Sequence, residues 1–198
     1  MVSFYLAGSI QKGHEKNGSF WTQEHMESLK QLLSPLKPNF LNPATRCDDL
    51  SDQHSVFGRD MLQVFSADFV FADVRERRGL GVGAEMMWAK FNRIPVIGWA
   101  PKNSHYRKEE TSLLGVPVSD WVHPFVESLC DVIVESLEEG ADWVKNHLKN
   151  PEAKGVEWIE SAMHHYRDTQ FAKDTPMQEL AQNCDKLQSF VAQSLQKP

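Results

Sequence analysis

At 198 residues, with 27 acidic against 21 basic side chains and a net charge of −6, the chain suits one α/β domain with an appendage. That balance argues against nucleic acid as a partner, because binding a phosphate backbone needs a basic face. The longest apolar runs are strand-sized, which excludes a transmembrane helix, and Cys47, Cys130 and Cys184 are too far apart for a disulfide frame or a zinc site. A soluble cytoplasmic protein with reduced thiols, away from any membrane, is expected.

In chain order, Val2 to Ala7 predicts a β-strand that runs into Gly8-Ser9 and a polar loop containing Gly13 and Gly18. Trp21 to Leu33 has apolar residues at helical period and ends before Pro35 and Pro38. Phe40-Leu41 reads as a short second strand closed by Asn42-Pro43, and residues 44–54 as a long acidic loop. Val56 to Ser66 predicts a helix with Val56, Met61, Leu62 and Phe65 near one face and Asp60 on a flank. Phe69 to Asp73 predicts a third strand, Val82 to Phe91 a helix and Ile94 to Trp99 a fourth strand. Residues 101–110 read as a polar loop and Trp121-Val122 as a fifth strand.

From there helical pattern alone remains. Leu129 to Leu148 is expected to be helical apart from Gly140, Val156 to Tyr166 follows, and Pro176 suits position N1 of a last helix. Strands alternating with helices imply an α/β fold of flavodoxin or Rossmann type: a parallel sheet of about five strands flanked by helices, with a C-terminal helical extension. The expected division is an α/β domain over 1–126 and a helical extension over 127–198. Apolar residues such as Trp143, Trp158, Leu180 and Phe190 give the tail faces suited to its own sheet or to a partner subunit.

The richest stretch is Arg78-Gly79-Leu80-Gly81-Val82-Gly83-Ala84-Glu85, directly after the third strand. Glycines at alternate positions let a backbone bend and approach a ligand closely. The spacing is Gly-x-Gly-x-Gly and departs from the dinucleotide fingerprint G-x-G-x-x-G. It is expected to place Glu85 in the first turn of a helix, at the carboxyl end of a parallel strand where open α/β sheets bind ligands.

Taken together, Phe4-Tyr5-Leu6-Ala7-Gly8-Ser9, Arg59-Asp60-Met61, Ala67-Asp68, Gly79 to Glu85, Ile94-Pro95-Val96-Ile97 and Ser112-Leu113-Leu114 resemble the nucleoside 2-deoxyribosyltransferase superfamily. That superfamily also holds the 2′-deoxynucleoside 5′-monophosphate N-hydrolases. The resemblance covers roughly the first two-thirds of the chain. It implies an N-glycosyl transferase or hydrolase acting on a nucleoside or nucleotide and a free nucleobase, without metal or cofactor. By the same resemblance Glu85 is the nucleophile, Asp60 contacts the base and manages its proton, and Tyr5 orients Glu85. Gly8, Ser9, Asp73, Gly79, Gly81 and Gly83 fall at the substrate, and Ser112 reaches it from a neighbouring subunit of a homo-oligomer (a dimer or tetramer).

Two positions divide the branches of the superfamily. The transferases carry an aspartate where this chain has Gly79, and the monophosphate hydrolases a serine there. Ser9 and Ser112 match the hydrolase branch, whose phosphate-binding arginine is Gln11 here, with Lys12 and Lys16 nearby. The balance falls narrowly on base transfer between unphosphorylated nucleosides, with monophosphate hydrolysis as the alternative and a nucleotide-sensing module without turnover as a distant third.

Each residue also has a plainer reading. Glu85 could also serve as a helix N-terminal carboxylate, Asp60 as a solvent-facing flank residue and Tyr5 as a strand core residue, readings that the resemblance outweighs. Ser9 and Ser112 suit turn chemistry, and Asp73 a loop start. Met86-Met87-Trp88 reads as core, Phe20 and Trp21 as stacking candidates, and His164-His165 as surface residues pointing in different directions.

Overall fold

A computed structural model of the chain describes residues 1–9 and 20–193. The expectations placed on Gln11, Lys12, Gly13, Lys16 and Gly18 lie outside the described residues. The chain divides into two compact units, Met1–Gly155 and Val156–Pro198.

In the first unit five strands form an all-parallel sheet: β1 (Val2–Ala7), β2 (Pro38–Leu41), β3 (Phe69–Asp73), β4 (Val96–Trp99) and β7 (Val132–Val134). Their order is β2-β1-β3-β4-β7, the doubly wound order of flavodoxin-like folds. The strand order reverses between β1 and β3, so the crevice at their carboxyl ends is the topological switch point where such sheets take ligands.

Alternation along β1 sorts its side chains into two layers. Phe4 and Leu6 pack with Leu29, Leu33, Phe69, Phe71, Ala141 and Val144, under helices α1 (Gln23–Leu32) and α5 (Leu137–His147). Tyr5 and Ala7 face the opposite way, with Val64, Met86 and Ala89, under α2 (Gln53–Phe65) and α3 (Leu80–Phe91). Strand parity therefore delivers Tyr5, and not Phe4, to the layer that also holds Asp60 and Glu85. α1 opens with a reciprocal cap, in which Thr22 Oγ1 accepts from His25 N and His25 Nδ1 accepts from Thr22 N, each at 3.2 Å.

The observed elements depart from the expected ones in places. The fifth sheet strand is Val132–Val134, inside the stretch read as helix; Trp121-Val122 belongs instead to an antiparallel hairpin, β5 (Arg107–Leu113) and β6 (Val116–Val122). Leu114 and Gly115, both at positive φ, form the two-residue turn whose twist suits such a hairpin. So the polar run 101–110 ends in a strand.

The α/β unit also continues past residue 126, through Gly155. Asp131 pins this segment to the sheet: it pairs with buried Lys90 and accepts from Val96 N and Lys154 N, both at 2.6 Å. Burial lowers the Lys90 ammonium below its ordinary range, against the opposing pull of Asp131.

Gly140 lies within α5 and does not interrupt it. A Cβ there would stand 2.5 Å from Phe71 Cζ, so glycine lets the helix close on the sheet.

The second unit contains α6 (Glu157–Thr169), a 3-10 turn (Phe171–Lys173), α7 (Thr175–Gln182) and α8 (Asp185–Ala192). Asp174 caps α7 and accepts a 2.7 Å hydrogen bond from the Tyr166 hydroxyl. Pro176 stands second in α7, after Thr175. No residue of these helices is buried. Among the described residues no helix is long and apolar enough to cross a membrane.

Candidate active site

Glu85 is the sixth residue of α3, which begins at Leu80, so the carboxylate stands in the second turn and not the first. The earlier start follows from the backbone: Gly79 is the extended N-cap, and Gly81 and Gly83 take ordinary helical positions. The glycines act by absence of side chain and not by bending. Space above Gly79 and Gly83 is open, and a Cβ at Gly81 would lie 3.8 Å from Glu85 Oε1. Gly81, four residues before Glu85, is thus the glycine that leaves the first turn of α3 bare on the side of the carboxylate.

Glu85 is 8% exposed and Tyr5 fully buried. Neither the Tyr5 hydroxyl nor Glu85 Oε2 has a hydrogen-bond partner. They are nonetheless close neighbours. Burial raises the Glu85 carboxyl to about 7, with the Asp60 charge adding to the rise and the Tyr5 hydroxyl opposing it. Burial, then the Glu85 charge, pushes the Tyr5 phenol upward, so it stays protonated. A protonated phenol beside a buried carboxyl is a poised pair: the hydroxyl can donate and Oε2 can accept. Buried polar atoms left without partners carry a cost that cores normally avoid.

Asp60 reaches this layer from α2, where its carboxylate is gripped by Arg59 at 3.3 Å and Arg46 at 3.5 Å. The same guanidinium groups bind Asp48, which Arg46 holds down to about 2 by hydrogen bonding. Trp88 on α3 donates to Met61 O at 3.1 Å, so the helices carrying Asp60 and Glu85 are tied one residue and three residues away from those carboxylates. Asp60 is thus a fixed charge near the pair, not a free surface residue.

At the carboxyl ends of β1 and β3 a second cluster forms. Arg78 reaches Asp73 Oδ2 at 2.8 Å, Asp73 O and Ser9 Oγ at 3.0 Å. Arg75 takes both Asp73 oxygens, at 2.9 and 3.0 Å, and lies 3.6 Å over the Trp99 ring. Burial pushes the Asp73 carboxyl up, but Arg75 and Arg78 together bring it below its ordinary value. Sequence reasoning assigns no role to either arginine, nor to Arg46 or Arg59. Arginine beside each site carboxylate is the available signal: Arg78 opens the glycine run and Arg59 precedes Asp60.

Gly8 is required by Trp21, whose indole would lie 3.2 Å from an added Cβ. Trp21 donates to Ala7 O at 2.9 Å and packs edge-on to Phe71, which makes it core and not a stacking shelf. Phe20, Ser9 and Gly8 line a cavity of about 160 Å³ with Asn42 and Pro43. That is below the size of a usual small-molecule site and fits part of a ligand. Met86 is buried core, whereas Met87 is exposed on α3. Ser112 lies on β5 opposite Pro117, in a sheet separate from the one that carries Tyr5.

No protein-family model and no curated protein matches the chain. Solved structures do resemble it. The chain is similar to 2-deoxyribosyltransferases of known structure. One, from Bacillus psychrosaccharolyticus, is 15% identical, with a TM-score of 0.46 over 71% of this chain and 91% of that one. The other, from Leishmania mexicana, is 18% identical, with a TM-score of 0.49 over 74% of this chain and 99% of that one.

Proposed function

We propose that the protein cleaves the N-glycosidic bond of 2′-deoxynucleosides and passes the sugar to another nucleobase or to water, with Glu85 as nucleophile. The observation that carries this reading is the buried Tyr5–Glu85 pair, each with an unpartnered oxygen, at the switch point of the sheet. The motif resemblance supports it. A carboxylate of this kind stabilises an oxocarbenium-like transition state and then bonds to the anomeric carbon, releasing the base and leaving a glycosyl ester. Tyr5 holds one Glu85 oxygen by donation while the other attacks. Asp60, fixed by Arg46 and Arg59, faces the departing base and handles its proton. Base attack on the ester regenerates Glu85 and a new nucleoside; water attack gives the free sugar.

The bare face at Gly81 admits the sugar against Glu85, and in this reading Gly79 and Gly83 keep the loop end and first turn of α3 free of side chains. Asp73 acts through Arg75 and Arg78 and does not itself meet substrate in this reading. A homo-oligomer belongs to the proposal, because Ser112 sits by an exposed hairpin tip at which Leu114 is fully exposed and Leu113 is 42% exposed.

One observation favours the second reading, hydrolysis of nucleoside 5′-monophosphates. An arginine does reach the serine that matches the hydrolase branch, since the Arg78 guanidinium bonds Ser9 Oγ. Incubating the protein with deoxyinosine, with and without adenine, and with deoxyinosine monophosphate separates the readings. Deoxyadenosine formed only with adenine supports transfer; hypoxanthine released chiefly from the monophosphate supports hydrolysis. No turnover of either substrate contradicts both.

A further inference from the structure

The loop 74–79 joins β3 to α3 and decides where the nucleophile's helix begins. α3 has no side-chain cap, since its N-cap is Gly79, and no acidic residue in its first turn. Its start is located from outside. His105 N donates to Arg75 O at 2.9 Å, and Arg78 N donates to the Tyr106 hydroxyl at 2.9 Å. Both anchors come from the residues just before β5. Tyr106 is itself held: its carbonyl accepts from His123 N at 2.8 Å, and its ring packs edge-on between His105 at 4.6 Å and His123 at 5.2 Å. The base of the hairpin thus grips the loop near its start and one residue before the N-cap.

We infer that Tyr106 is a positioning residue for Glu85, fixing the start of α3 through Arg78 N–H. A helix turns about 100° and rises about 1.5 Å per residue, so a slip of one residue at its start carries Glu85 off the Tyr5 hydroxyl. Tyr106 is well suited to prevent that slip, because a rigid ring wedged between two imidazoles presents the acceptor with little freedom. The role rests on the assignment of Glu85 as nucleophile. It adds that the hairpin does more than display Ser112: its base belongs to the machinery that aims the carboxylate.

Tyr106→Phe tests this, because the ring and its packing stay and only the acceptor is lost. The expected result is a fall in kcat of at least tenfold with KM for deoxynucleoside changed far less. The pH midpoint of kcat/KM should also move down, toward the ordinary carboxylate range, as Glu85 leaves its buried position. Wild-type kcat and pH midpoint in Tyr106→Phe overturn the inference. A drop in thermal midpoint accompanied by an unchanged pH midpoint overturns it as well, since that is a structural effect alone. Glu85→Gln, run alongside, tells the two failures apart: activity retained there sinks the nucleophile assignment itself, whereas a dead Glu85→Gln with an unaffected Tyr106→Phe sinks only the positioning role.

Discussion

The Tyr5 hydroxyl and the Glu85 carboxylate approach each other from a strand and a helix on one face of the sheet, both buried, with Tyr5 Oη and Glu85 Oε2 unpartnered. Strand parity supplies the first and the register of α3 the second. Burying polar atoms without partners costs free energy, and the fold carries that cost at both groups.

Activity should follow the ionisation of Glu85. A nucleophilic carboxylate must be charged, and this one, raised to about 7 by burial, loses its charge in mild acid. kcat/KM is expected to fall roughly tenfold for each step of one in pH below about 7, and to level off above it. A steady-state pH series checks this; a flat profile across the mildly acidic range contradicts it.

Stability should respond to pH in the opposite sense. A carboxyl whose folded value lies above its unfolded value contributes stability fully at low pH, and that contribution is lost as the pH rises through the folded value. Each tenfold difference in proton affinity between the folded and unfolded chain is worth about 1.4 kcal/mol, so a charged Glu85 costs the fold up to about 3 kcal/mol above pH 7. Glu85→Gln is expected to melt higher than wild type at mildly alkaline pH, with the gap closing in acid. Thermal melts across that range decide the matter.

Tyr5→Phe should lower kcat by about 10- to 100-fold, the worth of a hydrogen bond to a charged group. Because the hydroxyl opposes the rise of the Glu85 value, its loss should move the pH midpoint upward. The direction is opposite to that expected for Tyr106→Phe, so two rate profiles distinguish the two tyrosines.

Gly140→Ala sets two effects against each other. Alanine favours a helix over glycine by about 1 kcal/mol. The added Cβ would stand 2.5 and 2.8 Å from the Phe71 ring, and overpacking of this kind costs about 1–3 kcal/mol. Packing should win, and denaturant unfolding should show a net loss of stability with activity per folded molecule intact.

The layered sheet is legible in the sequence because hydrophobic period is a local property, while Tyr5, Asp60 and Glu85 are singled out by the resemblance of motifs and enter the proposal from there. β7 is not. Val132-Ile133-Val134 is too short to show a period, and its three β-branched residues are the one sign of a strand within an apparently helical stretch. The hairpin is obscured by polar residues on exposed strands, with Gly115 the one cue to its turn. The arginines are hidden for another reason. Arg46, Arg75 and Arg78 gain their meaning from partners brought together by folding, and Arg78 meets Ser9 across 69 residues of chain.

Nucleophilic attack by Glu85 is tested most directly by mass spectrometry of the protein quenched during turnover of deoxyinosine, with Glu85→Gln in parallel. The expected result is one deoxyribosyl group on the peptide that carries Glu85, and neither adduct nor turnover in the variant. Undiminished base release by Glu85→Gln, with no adduct on the wild-type peptide, would contradict it.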